Sequence, residues 1–166
     1  MMANKPVAFY FEGFGGFVSV LGSMEQVPQK CVTRAAGKGA TVIRRAIRSQ
    51  APVDTGTLKR GIIREGERSR KKGKKVYKMM FDPTMNDVFQ KPIKHPGAAG
   101  GSKKTDHAYY PASMEYGFLT RSKGGGFSYV PGYHFMRDAT VESAGAATKA
   151  MVDALNKEID KEWRKK

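Results

Sequence analysis

Two hydrophobic periods run along this chain, and each change of period marks an element. From about Ser23 to Gln50 apolar residues return every three or four positions. Cys31, Val32, Ala35, Ala36, Val42, Ile43, Ala46 and Ile47 share one side of the predicted helix. Lys30, Arg34, Lys38, Arg44, Arg45 and Arg48 crowd into an arc of about 120° on the other. Gly37 and Gly39 each weaken such a helix by about 1 kcal/mol unless they admit a close neighbour. Ala51-Pro52 ends it, because a residue before proline is pushed out of the α region. A second helical period spans 135 to about 163, where Ala144, Ala147, Met151, Leu155 and Ile159 recur on one face.

Between the helices the period shortens. Residues 61–66 and 76–81 read as an antiparallel strand pair joined by the basic turn 68–75. Residues 6–12 read as a short first strand. After Asp54-Thr55-Gly56-Thr57-Leu58, Asp54 or Thr55 is expected to cap a short helical turn that points Leu58 inward. Residues from Ala108 to Tyr116 read as a short helix closed by Gly117. The segments 66–75, 84–106 and 120–126 read as flexible loops, the last built on Gly124-Gly125-Gly126. This order of helix, strands, loop, short helix and long helix predicts an α+β fold in a single domain covering 1–166.

Composition narrows the function. The chain has 166 residues, 40% of them hydrophobic, enough for a packed core. A lone cysteine, Cys31, rules out an internal disulfide framework, and three scattered histidines offer no metal centre, so no cofactor is expected. No run approaches the roughly 18 consecutive apolar residues of a membrane span. The aromatic stretch 7–21 is broken by Glu12 and by glycines and does not read as a signal peptide. Net charge is +15, and residues 26–78 hold sixteen bases against Asp54, Glu65 and Glu67, a net +13. The charge is therefore local to one helix face and one turn. It calls for a polyanion or an acidic neighbour.

Catalytic chemistry fails on context. Asp54-Thr55-Gly56 matches the triplet of aspartic proteases, in which two carboxylates share a proton. Here it occurs once, follows Pro52 and lacks flanking apolar strands. The run from Gly97 to Thr105 fails the register of a phosphate loop, since Ser102 precedes Lys103 and no apolar strand leads into it. Nonspecific nucleic-acid binding fares better. Arg44, Arg45 and Arg48 on the helix, with Arg68, Arg70, Lys71, Lys72, Lys74 and Lys75 on the turn, offer a basic contact surface that could neutralise phosphates. No sequence-reading motif accompanies them.

The block Ala51-Pro52-Val53-Asp54-Thr55-Gly56-Thr57-Leu58, following a basic amphipathic helix and preceding a strand, closely resembles the hallmark of a tail-component family of tailed bacteriophages. Tyr109-Tyr110 with Glu115-Tyr116-Gly117 is similar to that family's Tyr…Glu-x-Gly block. Pro131-Gly132 with Phe135 and Ala139 is similar to the family's opening of the C-terminal helix. The resemblance extends over about residues 20–160. It implies a non-enzymatic virion protein, a neck or tail-completion subunit of a ring at the head–tail junction. Its partners would be further copies of itself and neighbouring connector, tail-terminator or tail-tube proteins, with nonspecific contact to packaged DNA and no membrane. Pro52, Asp54, Thr55, Gly56, Leu58, Tyr110, Glu115, Gly117, Phe135 and Ala139 would then be structural motif residues. Glu115 is expected either to pair with a basic side chain, in its own chain or a neighbour, or to stay solvated. The runner-up is a sequence-nonspecific nucleic-acid-binding module.

Overall fold

The computed structural model describes residues 29–68, 71, 73–92, 107–121 and 124–164, and only the backbone of 162 and 163. The expected strand 6–12, the helix before Gln29, Arg70, Lys72 and residues 93–106 lie outside the described residues. The order is α1 (Gln29–Gln50), α2 (Thr57–Gly61), β1 (Ile62–Gly66), β2 (Tyr77–Phe81), a 3-10 turn (Pro83–Met85) and α3 (Asn86–Phe89). Then come β3 (Gln90–Pro92), β4 (His107–Tyr109), α4 (Tyr110–Tyr116), β5 (Gly117–Arg121), β6 (Phe127–Pro131) and α5 (Phe135–Trp163). The fold is α+β, with a long helix near each end of the described chain.

The two long helices pack against each other. The apolar face of α1 buries Cys31, Val32, Ala35, Ala40, Ile43 and Ile47. From α5 it meets Met136, Ala139, Ala147, Met151 and Leu155, all buried. Ser143 is the polar residue within that stripe, and its hydroxyl donates to the Ala139 carbonyl at 2.6 Å, so no unpaired donor is buried there. Gly39 marks the closest approach. A Cβ there would lie 2.6 Å from Met151 Cγ and 3.1 Å from the Ala147 carbonyl oxygen. The helix-weakening glycine is thus a contact that larger residues would prevent.

Strands form three separate antiparallel ribbons among the described residues: β1–β2, β3–β4 and β5–β6. The first has the expected register, Ile62 opposite Phe81 and Gly66 opposite Tyr77, and Glu67 N–H continues the ladder to the Val76 carbonyl at 3.0 Å. Ile62, Met79 and Phe81 enter the main core beside Leu58, Phe89 and Phe135. Phe81, Phe89 and Tyr109 meet edge to face, with ring centroids 5.7, 6.4 and 6.0 Å apart. This arrangement matches the preference of ring quadrupoles.

Parts of two segments expected as loops are regular structure. Thr120 and Arg121 belong to β5, and Gly125, at φ 90°, lies just before β6. The segment 84–106 begins with ordered structure, because Asp82 caps the 3-10 turn through Thr84 N–H at 2.9 Å and Phe89 anchors α3 in the core. The Thr84 hydroxyl donates to the same carboxylate oxygen at 2.7 Å, and this bond, reinforced by the backbone one, holds the Asp82 carboxyl below its ordinary range. Ala108 and Tyr109 are likewise strand, so the short helix begins only at Tyr110.

The two glycines of α1 should respond oppositely to substitution. Gly39→Val is expected to cost about 1–3 kcal/mol by overpacking against α5. Gly37→Ala meets nothing nearer than the Tyr77 hydroxyl at 3.4 Å, and should gain about 0.5–1 kcal/mol of helix propensity. Urea denaturation of the two variants checks both signs.

Candidate assembly surface

Ala51-Pro52 releases the chain from α1, and Gly56 reverses it at φ 74°, in the left-handed region that favours glycine. Gly56 itself stands at the N-cap of α2, and no side chain caps that helix. The expected Asp54 or Thr55 cap is therefore corrected. The reversal at Gly56 takes over the cap position, leaving Asp54 and Thr55 exposed on the turn, with Thr55 Oγ1 2.8 Å from Thr57 Oγ1. Leu58 points into the core, and Pro52 is half-buried. Arg48 reaches from α1 to donate to the Arg60 carbonyl at 3.0 Å, fastening the end of α2. A guanidinium counted as basic contact surface is thus committed to the fold.

Glu115 is the buried charge of the molecule's other motif. It is 1% exposed, and its Oε2 accepts the Met136 N–H at 2.9 Å while Oε1 accepts that of Arg137 at 3.1 Å. Among the described residues no lysine or arginine side chain forms an ion pair with it, and its burial corrects the expectation of a solvated acid. The carboxylate instead satisfies orphan donors at the start of α5 and sits at the positive end of the helix dipole. Backbone bonds complete the junction, from Tyr133 N to Met114 O at 2.8 Å and from His134 N to Glu115 O at 3.1 Å. Gly117 (φ 88°) and Gly132 permit it: a Cβ on Gly117 would strike the Val130 carbonyl, and one on Gly132 the Glu115 carbonyl. Phe135 and Ala139 then enter the same core as Leu58, with Tyr110 packed against it. Burial raises the Tyr110 phenol above its ordinary range, reinforced by the nearby Asp54 charge and by Tyr133. The motif residues Leu58, Tyr110, Phe135 and Ala139 therefore converge although they lie far apart in sequence.

The basic residues divide. Arg34, Lys38 and Arg45 line an open groove between α1 and α5, joined by Arg64 of β1 and by Lys157 and Lys161 of α5. Arg44 and Arg48 are half-buried and outside it. The basic turn is tied to α1 by Gln29, whose side chain accepts from Gly73 N at 2.8 Å and donates to the Lys74 carbonyl at 3.1 Å. Arg68, Lys71 and Lys74 are exposed, whereas Lys75 lies 5.4 Å from the Tyr77 ring centre. Arg64 stacks over the same ring at 5.0 Å and donates to the Gly37 carbonyl and Thr41 hydroxyl at 2.6 and 2.7 Å. Tyr77 thus serves the fold's cations. Glu158 spans the groove floor between Arg34 at 2.5 Å and Lys161 at 3.0 Å, and these bonds lower its carboxyl to about 2.

One surface escaped the pattern reading altogether. On the β5–β6 ribbon Phe118, Leu119, Phe127 and Tyr129 are all substantially exposed. The signal was present as strand-prone residues on either side of the glycines, Phe118-Leu119-Thr120 before them and Phe127-Ser-Tyr-Val130 after. No group of three or more His, Cys, Asp or Glu placed to hold a metal occurs among the described residues. No described helix is long and apolar enough to cross a membrane.

Interlocked helices, short ribbons, a basic groove and an uncovered aromatic ribbon define a protein suited to contact with other macromolecules. Residues 17–88 match the sequence model of a family described as "Bacteriophage HK97-gp10, putative tail-component". The match runs from before α1 into α3 and supports a structural role in a phage tail. No curated protein and no solved structure matches the chain.

Glu115→Ala should leave two buried N–H groups at the start of α5 without an acceptor and cost about 2–5 kcal/mol. Glu115→Gln, which keeps one acceptor, should fall between; denaturation and amide exchange at Met136 and Arg137 read both. The Glu158 bridges contribute stability above the ordinary carboxyl value of 4.5, and this is lost as pH falls from there towards about 2. The difference in melting temperature between the wild type and Glu158→Gln should therefore narrow across that range. Salt should also shrink it.

Proposed function

We propose that this chain is a structural virion subunit of a tailed phage, one copy in a ring that completes the tail or forms the neck at the head–tail junction. The observation that carries this reading is the match of residues 17–88 to a phage tail-component family. The architecture suits the role. The helix pair and the Glu115 junction supply a rigid body, and the exposed groove and ribbon supply contact surfaces. The motif residues act by shape: Pro52 and Gly56 set the reversal, Leu58 and Phe135 fill the core, and Glu115 aims α5. Copies of the chain adjoin connector, tail-terminator or tail-tube proteins. The Arg34–Lys38–Arg45 face meets packaged DNA or acidic surfaces of those neighbours, a contact that weakens with salt.

Phage made without this protein should yield separated heads and tails, or tails with aberrant ends, in electron micrographs. Supplying the protein in trans should restore joined, infectious particles. Normal infectious virions lacking it would overturn the reading.

A further inference from the structure

The β5–β6 ribbon has no third strand among the described residues. An isolated two-stranded ribbon is marginal in water, and a contiguous apolar surface of this kind marks an interaction site. Pairing sets Leu119 opposite Tyr129 and Arg121 opposite Phe127, so these four side chains share one face. Leu119, Phe127 and Tyr129 are each at least half exposed there. The charge around them has one sign. From Tyr116 to Arg137 the sequence holds no acid, and Arg121, the last residue of β5, is exposed. Whatever covers this ribbon offers apolar contact beside negative charge.

The chain carries a surface of that chemistry elsewhere. Val53 and Val141 are its most exposed large aliphatic side chains among the described residues, at 67% and 70%. Each adjoins an exposed acid in sequence, Asp54 and Glu142. Gln50 Nε2 donates to Glu142 Oε2 at 2.5 Å, which holds the end of α1, three residues before Val53, beside the second turn of α5.

We propose that the β5–β6 ribbon of one copy seats on the Val53–Asp54 and Val141–Glu142 face of a second copy, with Arg121 directed to the acids. Ribbon and receiving face are different surfaces, so the contact is head-to-tail and repeats from copy to copy, closing a ring when the rotation allows. This inference rests on the ring reading above and names its contact.

The test uses the purified full chain in sedimentation velocity over a wide concentration range. Wild type should associate. Copies with Phe127→Ser and Tyr129→Ser, and separately copies with Val53→Asp and Val141→Asp, should each sediment as monomers. Mixed together they should form a one-to-one dimer, because each retains the surface the other has lost. That result also excludes misfolding as the cause of lost association. A monomeric wild type, ribbon variants that assemble as wild type, or a mixture that stays monomeric would each overturn the contact. Hairpin-dependent assembly alongside normal particles lacking the protein would overturn the neck role and leave this contact standing. A monomeric chain alongside unjoined particles would do the reverse.

Discussion

The α4–α5 junction turns on one buried carboxylate. Glu115 takes the first free N–H groups of α5, and its own backbone carbonyl accepts from His134. A charge in a dry site is costly unless its acceptor capacity is used, and the positive end of a long helix is a place where it can be. Because Glu115 stands at the end of α4 and grips the start of α5, it sets where the long helix begins and which face it turns to α1. Met136, Ala139, Ala147 and Met151 follow from that register. The glycines at 117 and 132 are required because the two backbone segments touch where any side chain would intrude.

A second constraint joins the strands to the helix pair. Arg64 and Tyr77 bind the first ribbon across α1 through carbonyl, hydroxyl and ring contacts, and Arg48 holds the short α2 turn. These residues belong to the most basic part of the chain, yet part of that charge is spent inside the fold. What remains outward is the groove face around Lys38 and Arg45 and the turn around Lys71 and Lys74. The electrostatic footprint is therefore narrower than the net charge implies. It suits a broad, salt-sensitive contact in an assembly better than a site that reads bases.

The ribbon β5–β6 shows the opposite economy. Its aromatic residues contribute little to the core and leave the chain with apolar surface that a solitary monomer would ordinarily cover. Core and exposed surface are thus carried by different elements, the first by the helix pair and β1–β2, the second in large part by the ribbon.

Much was readable before any coordinates. The amphipathic period of α1, the recurrence of Ala147, Met151 and Leu155, and the strand-prone runs 61–66 and 76–81 determined the α+β class and much of the main core, because element type dictates which side chains can share a face. The Pro52 stop and the Leu58 anchor were equally local. Other features were decided only by tertiary structure. Glu115 was expected to pair with a basic side chain or to stay solvated, because nothing nearby in sequence reveals that its carboxylate meets N–H groups twenty-one and twenty-two residues later. Asp54 looked like a cap until the left-handed Gly56 displaced it, and the Arg34–Glu158 bridge joins residues 124 apart. Periodicity records which face of an element is buried. It carries no information about which distant backbone group will need an acceptor, or which surface a second molecule will cover.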